Sequence, residues 1–250
     1  MECEPFLPLH EMMGDRLKYA DEASGNLINM ISKLPGVKQI GQRVIYDELR
    51  EILEPEHTAL VVWNTQNSLV SKIFNTEEFK VNMGKLIASA RMAHLLIFFN
   101  RYSPSDSSFE FAWAFYISML RNGISDPLRL PRYFDPGTED DSIHPCVSPG
   151  MYDTVLKNSS MSIFYSTQFE HMIRAAGITT ILFSGIGTEL GIENSVRDSS
   201  MRGFYTIVCS DCVSSLNRPA HELSLRNMSN VAVILKLREI TDTWLRARSA

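Results

Sequence analysis

Five apolar residues stand in an unbroken row at Ala59-Leu60-Val61-Val62-Trp63. A run without polar alternation is typical of a strand that is covered on both faces, which occurs when helices lie above and below a parallel sheet. Four more runs of this kind follow, at 95–99, 179–183, 205–209 and 231–235. The chain therefore predicts a mainly parallel sheet.

The segments between these runs carry apolar residues at helical spacing. We predict helices at 77–92, 166–176, 193–202 and 220–228. Alternation of strand and helix indicates a three-layer α/β/α, doubly wound domain over residues 58–250, with about six strands. The sixth strand, at 154–156, is expected at an edge of the sheet or in an insertion.

Residues 1–57 follow a different pattern. Apolar residues recur at helical spacing in two groups, Leu27, Ile28, Met30, Ile31 and Leu34, and then Val44, Ile45, Leu49, Ile52 and Leu53. We predict a helical N-terminal extension that packs on the core or on a neighbouring subunit.

The charge balance limits the partners. The 250 residues contain 24 Lys and Arg against 29 Asp and Glu, for a net charge of −5. This balance argues against nucleic acid as a binding partner, because a duplex-binding surface needs clustered basic residues. The longest nearly apolar stretch, 93–99, is far shorter than the roughly 20 residues that span a bilayer. The acidic start lacks the pattern of a secretory signal, so we expect a cytoplasmic protein without a membrane partner.

The cysteines point to no metal or cofactor. Four cysteines spread over 250 residues indicate free thiols in a reducing compartment. Cys209 and Cys212 have the spacing of a redox or zinc half-site. No second pair with ligand spacing accompanies them, and no histidine stands at zinc-site spacing from a cysteine.

Ligands of open α/β sheets bind at the carboxyl ends of the strands, where the strand order reverses. The predicted strands end in the polar segments 64–67, 100–103 and 185–189, and Asp211 follows another. The segment 185–191 invites a dinucleotide interpretation, but Leu190 stands where the third glycine of that fingerprint belongs. We expect a turn that presents backbone N–H groups to an anion instead.

A proline-rich segment lies between Asp126 and Gly150 and contains the acidic run 139–141. A loop of this length in a compact domain is either a functional cover or a solvated excursion.

Three blocks of sequence resemble the isochorismatase-like, or cysteine hydrolase, superfamily between about residues 44 and 237. The blocks are Thr58-Ala-Leu-Val-Val-Trp-Asn-Thr-Gln-Asn67, Tyr152-Asp-Thr-Val-Leu-Lys157 with Phe164 and Thr167 downstream, and Ser184-Gly-Ile-Gly-Thr-Glu-Leu-Gly-Ile-Glu-Asn-Ser-Val-Arg-Asp198 followed by Arg202, Gly203 and Asp211. The resemblance implies the α/β fold, a hydrolase of small molecules and, by analogy, a homo-oligomer.

The resemblance also implies a catalytic trio of Asp, Lys and Cys, which falls on Asn64, Lys157 and Gly191. Glycine cannot attack an amide, so hydrolysis through an acyl-enzyme is excluded unless Ser195 or Ser199 substitutes. Isochorismatases of the superfamily also have glycine at this position and protonate a vinyl ether with the Asp. An Asn cannot transfer that proton, and loss of a general acid costs about 10²- to 10⁴-fold in rate.

Six further residues are expected to contact a substrate: Gln66, Arg101, Tyr102, Gly187, Thr188 and Glu189. Four of them have a structural alternative, and so does Lys157. Gln66 caps the following helix, Arg101 and Tyr102 lie at the rim, Glu189 complements a helix dipole, and Lys157 is a solvated lysine at a strand end.

Two hypotheses follow. The first is a hydrolase that acts on a small anionic metabolite without a cysteine nucleophile; Lys157 and the backbone of 187–191 stabilise charge, and Glu189 or Asp140 supplies the proton. The second is a catalytically silent relative that keeps the fold for ligand binding or assembly. A third alternative is that Asn64 was introduced to trap a substrate.

Overall fold

The computed structural model describes residues 39–40, 43–104, 111–130 and 135–247. Its strands are β1 Gln39–Ile40, β2 Arg43–Val44, β3 Thr58–Trp63, β4 Leu96–Tyr102, β5 Thr154–Asn158, β6 Thr180–Ile186, β7 Tyr205–Ser214 and β8 Val233–Leu235. The last six form one sheet in the order β5-β4-β3-β6-β7-β8. Every pair in it is parallel.

The helices are α1 Leu49–Ile52, α2 Asn67–Val70, α3 Thr76–Met92, α4 Ala112–Asn122, α5 Phe169–Ala175, α6 Glu193–Met201, α7 Arg218–Met228 and α8 Leu237–Ala247. A π-helical turn, Thr188–Ile192, leads into α6. Short 3₁₀ turns occur at Pro55–His57, Pro127–Arg129, Glu139–Asp141 and Pro145–Val147.

The α/β architecture is confirmed, and the five predicted buried runs are five of the six strands. The uncertain sixth run is the edge strand β5. Two local predictions are wrong. The helix expected from residue 166 begins only at Phe169, because Ser166 has φ +60° and cannot continue a right-handed helix. Val44, expected in a helix, lies instead in β2, which pairs antiparallel with β1. Leu49–Ile52 of the same group is helical, and the apolar residues at 27–34 lie outside the described residues.

The sheet is covered on both faces, as the unbroken apolar runs require. On the first face, here the α3 face, Leu60, Val62 and Phe99 pack with α3 and α8. On the second, the α6 face, Val61, Trp63 and Phe183 pack with α5, α6 and α7. Because alternate residues of a strand point to opposite faces, the face of each strand-end residue is fixed by its position.

Strand order reverses between β3 and β6, which are hydrogen-bonded neighbours in the middle of the sheet. Trp63 at the end of β3 is in register with Gly185 of β6. Asn64 and the turn that begins at Gly187 therefore leave the sheet side by side. This is the position at which open α/β sheets bind ligands.

Candidate active site

The indole of Trp63 fills the space beside Gly191. Trp63 is 2% exposed and lies on the α6 face. A Cβ atom built on Gly191 would come within 3.0 Å of the indole atoms Cζ2, Cε2 and Nε1. Gly191 is thus a glycine because an aromatic ring occupies its side-chain volume, and a thiol at this position cannot coexist with the present Trp63.

Asn64 is paired with a second amide. Its φ of +45° lies in the left-handed region, which Asn tolerates better than most residues. Its N–H donates to the backbone oxygen of Asn100 (2.8 Å), and its Oδ1 accepts from Nδ2 of Asn100 (2.7 Å). Oδ1 of Asn100 is buried and has no partner among the described residues. Both side chains are neutral and cannot exchange protons near neutral pH.

Lys157 does not lie on this face. Leu156 packs with the cluster that contains Trp63, so the next residue of the strand points to the opposite, α3 face. Lys157 is exposed and in register with Arg101 of β4, and its side chain makes no hydrogen bond or ion pair with the described residues. The structural alternative for Lys157, a solvated lysine near a strand end, describes its position.

Asn158 is the residue of β5 that shares the α6 face with Trp63. It is buried, its Nδ2 donates to the backbone oxygen of Ser162 (3.0 Å), and its Oδ1 accepts from the N–H of Ser160 (2.8 Å). Sequence reasoning missed it because the predicted strand stopped at 156. Alternation from Leu156 would have identified it.

Gln66 and Arg101 hold the acidic loop instead of facing an open pocket. Asp141, 2% exposed, forms a salt bridge with the Arg101 guanidinium through Oδ2, and its Oδ1 accepts from Nε of Arg101 (3.2 Å). Gln66 Nε2 donates to Asp141 Oδ1 (2.9 Å). The N–H of Gly137 also donates to Asp141 Oδ2 (2.7 Å). We call Gln66, Arg101, Asp141 and Gly137 the carboxylate latch.

The latch is continued by backbone pairing. Gln66 and Ile143 form an isolated antiparallel bridge, and Gln66 Oε1 accepts from the N–H of half-buried Tyr102 (3.0 Å). Gln66 stands at the N-cap position of α2 but makes no side-chain cap hydrogen bond. Asp140, unlike its neighbour Asp141, is exposed. The proline-rich segment is thus attached to the carboxyl edge of the sheet through Gly137, Asp141 and Ile143.

The turn after β6 also forms hydrogen bonds within the protein. The N–H of Gly187 donates to the backbone oxygen of Ser214 (2.8 Å). Oγ1 of Thr188 contacts the same oxygen (3.0 Å) and Nδ1 of His221 (2.8 Å). Glu189 Oε1 accepts from the Ser215 hydroxyl (2.6 Å), whereas its Oε2 is buried without a partner among the described residues. Glu189 therefore makes a specific hydrogen bond to Ser215, which the helix-dipole alternative does not include.

Ser195 and Ser199 are not placed as substitute nucleophiles. The Ser195 hydroxyl donates to the backbone oxygen of Gly191 (2.6 Å) and accepts from the N–H of Ile163 (3.1 Å). Ser199 pairs with the Thr206 hydroxyl (2.8 Å). Both side chains are fully buried.

Burial is the main cause of the pKa shifts of four other titratable groups. It lowers the pKa of His221, with Glu189 and Glu222 opposing that shift, and it lowers the pKa of His144. Burial raises the pKa of the thiols of Cys212 and Cys146. The three described cysteines are free, and a protonated thiol is a poor nucleophile.

The described residues contain no group of three or more His, Cys, Asp or Glu side chains arranged to hold a metal ion. No helix within the described ranges is long and apolar enough to span a membrane. Asp211 instead fixes local structure, since its Oδ2 accepts from the N–H of Leu237 at the start of α8 (3.1 Å).

A family model described as the isochorismatase domain matches residues 58–239. This chain belongs to the isochorismatase family. A relative named ureidoacrylate amidohydrolase RutB, from Methylorubrum extorquens, is 36% identical over 103 residues, which is 41% of this chain and 42% of that protein. The protein of the same name from Methylobacterium radiotolerans is 25% identical over 192 residues, or 70% of this chain and 74% of that one.

Solved structures of the isochorismatase family agree in fold. A cysteine hydrolase from Pseudomonas syringae superposes with a TM-score of 0.65 at 19% identity, covering 77% of this chain and 94% of that one. An isochorismatase family protein from Burkholderia thailandensis gives 0.63 at 20% identity, covering 76% and 96%. The match to the first relatives spans only about two fifths of their length.

Proposed function

We propose that this member of the isochorismatase family is catalytically silent at the site where the family resemblance puts hydrolysis, and that it keeps the fold for ligand binding or assembly. The contact between Trp63 and Gly191 carries the proposal. A ring fills the volume that a nucleophilic side chain needs, so neither covalent attack nor a substrate in the same position fits beside it.

The surrounding groups support the same conclusion. Asn64 accepts a hydrogen bond from Asn100, and neither amide has a proton to transfer. Lys157, the expected cation, is exposed on the α3 face. The nearby acid Asp141 is paired with Arg101, and Asp140 faces solvent.

The test is a turnover assay at high protein concentration with a ureido acid, a primary carboxamide and an enol ether of a cyclic carboxylic acid. We expect no turnover above that of buffer. Saturable turnover by the unmodified protein would overturn the proposal. To restore the trio positions, Asn64→Asp and Gly191→Cys must be combined with Trp63→Ala, because the indole excludes the new side chain.

One observation favours the competing hydrolase without a cysteine nucleophile. Glu189 has a buried carboxylate oxygen with no partner among the described residues, which leaves that oxygen open to a hydrogen bond with a substrate. If Glu189 is the general acid, Glu189→Gln abolishes turnover while Asp140→Asn, at an exposed acid, leaves it unchanged. The silent protein shows no turnover in either variant.

A further inference from the structure

A cavity of about 350 Å³ opens between the segment that follows β5 and the first two turns of α6. The cavity is shallow and largely open to solvent, so a small molecule bound there stays partly exposed. None of Trp63, Asn64 and Gly191 lines it. We propose that this cavity binds a small aromatic carboxylate. The proposal goes beyond the silent function above and holds whether or not the protein turns over a substrate.

One wall of the cavity is fixed by internal hydrogen bonds. Asp198 accepts from the Ser162 hydroxyl through Oδ2 (2.5 Å) and from Nη1 of Arg202 through Oδ1 (2.8 Å). The Ser160 hydroxyl donates to the backbone oxygen of Ser162 (2.6 Å). Both Asp198 oxygens are therefore engaged, and its partner Arg202 also donates from Nε to Oε2 of Glu170 (2.9 Å).

Three other lining groups have hydrogen-bonding capacity left. Arg197 donates from Nε and Nη2 to Oε1 of Glu193 (3.2 and 2.7 Å), which leaves Nη1 without a partner among the described residues. The exposed side chain of Asn194 and the hydroxyl of Tyr165 make no hydrogen bond within the described ranges. All three line the cavity.

These groups define the ligand's chemistry. The free edge of a guanidinium and an amide N–H suit a carboxylate, since charge-assisted hydrogen bonds to carboxylates are the strong ones. The ring of Tyr165, 60% exposed, and the thioether of Met161, 51% exposed, offer an apolar surface for a flat ring. A ring bearing one carboxylate satisfies both surfaces at once.

The test uses benzoate as the probe on the full chain and follows binding by amide chemical shifts. We expect saturable binding at millimolar concentration, with shifts centred on 160–165 and 194–198. Benzamide, the neutral analogue of the same shape, binds at least tenfold more weakly. Absence of saturable benzoate binding, or shifts centred on Trp63 and Asn64, would overturn the proposal.

Matched variants distinguish loss of this binding site from effects that any similar substitution would have. Arg197→Ala weakens benzoate binding by about tenfold or more, whereas Arg218→Ala, which removes a similar pair with Glu222 on α7, leaves it unchanged. Tyr165→Ala weakens it, but Tyr152→Ala at a 90% exposed tyrosine does not.

Asn194→Asp guards against loss of folding, because this residue is exposed and the change places a like charge against benzoate only. We expect weaker benzoate binding and unchanged benzamide binding in this variant. Equal losses in Arg197→Ala and Arg218→Ala, or no loss in Asn194→Asp, contradict the site. Turnover is not read in any of these arms, so the result is independent of the silent function.

Discussion

The carboxyl edge of the sheet is closed in two different ways on its two faces. On the α6 face an indole packs against a glycine, and the contact is apolar and depends on shape. On the α3 face the carboxylate latch joins Arg101, Gln66 and Asp141, and the contact is polar and depends on charge. Side chains of the protein itself therefore fill the space on both faces. Shape-based closure should resist salt and respond to volume, whereas the latch should respond to charge.

The largest effect should follow Trp63→Ala. Removing a fully buried indole leaves a cavity beside Gly191, and such truncations cost about 3–5 kcal/mol. Urea denaturation measures the free energy of unfolding. Trp113→Ala, at a 68% exposed tryptophan of α4, is the control and should cost far less. A loss of equal size in both variants would contradict the tight contact.

Gly191→Ala should cost about 2–3 kcal/mol, because the added methyl overlaps the indole. The same change in the Trp63→Ala background should cost much less, since the methyl then enters the vacated space. The double-mutant cycle measures this difference, and additive losses would mean that the two residues do not share the volume.

Asp141→Asn tests the charged closure and should cost about 1–2 kcal/mol, because Arg101 is only partly buried and regains some solvation. Asp140→Asn is the matched control at the neighbouring exposed acid and should stay within about 0.5 kcal/mol. Urea melts at low and high salt complete the comparison. The latch is contradicted if the two variants are equally stable.

Acid should weaken the fold through His221 and His144. Burial lowers the pKa of both below the ordinary value of 6.5, so the folded state keeps them neutral while the unfolded chain takes up protons. The two neutral histidines therefore contribute their full stabilisation above pH 6.5. This contribution is lost as the pH falls from 6.5 to their lower folded pKa values. His221→Gln should reduce the slope of stability against pH, which urea denaturation at several pH values measures.

The smallest effect is expected for Lys157→Ala. An exposed lysine without a hydrogen bond or ion pair to the described residues contributes little, so its loss should change stability by less than about 0.5 kcal/mol. Turnover assays should also be unaffected. Any activity that depends on Lys157 would restore it to the catalytic role that the resemblance implies.

The fold was accessible from the sequence because its strands are buried on both faces. The runs at 59–63 and 179–183 have no polar interruption, and this pattern has one common structural solution. Helix α4 was missed: its apolar side chains Trp113, Tyr116 and Leu120 are exposed, so core packing gives it no amphipathic signal of the usual kind.

The candidate site was predictable in position but not in state. Polar residues after the strands indicated the carboxyl edge of the sheet, yet nothing local in the sequence indicates that Trp63 points at Gly191. Their contact joins segments 128 residues apart, as the numbers of the two residues show. The sequence also did not indicate that Asp141 is buried and Asp140 exposed. An irregular loop has no periodicity from which the buried side chain could be identified.

The contact between Trp63 and Gly191 also constrains how this chain can change over evolutionary time. A side chain larger than hydrogen at 191 is disfavoured until the residue at 63 becomes smaller, and a smaller residue at 63 alone opens a void. Each single step is penalised, so the two positions are epistatic and are expected to change together. Mutational libraries that vary one codon at a time will therefore register this site as immutable, although a paired exchange is sterically open.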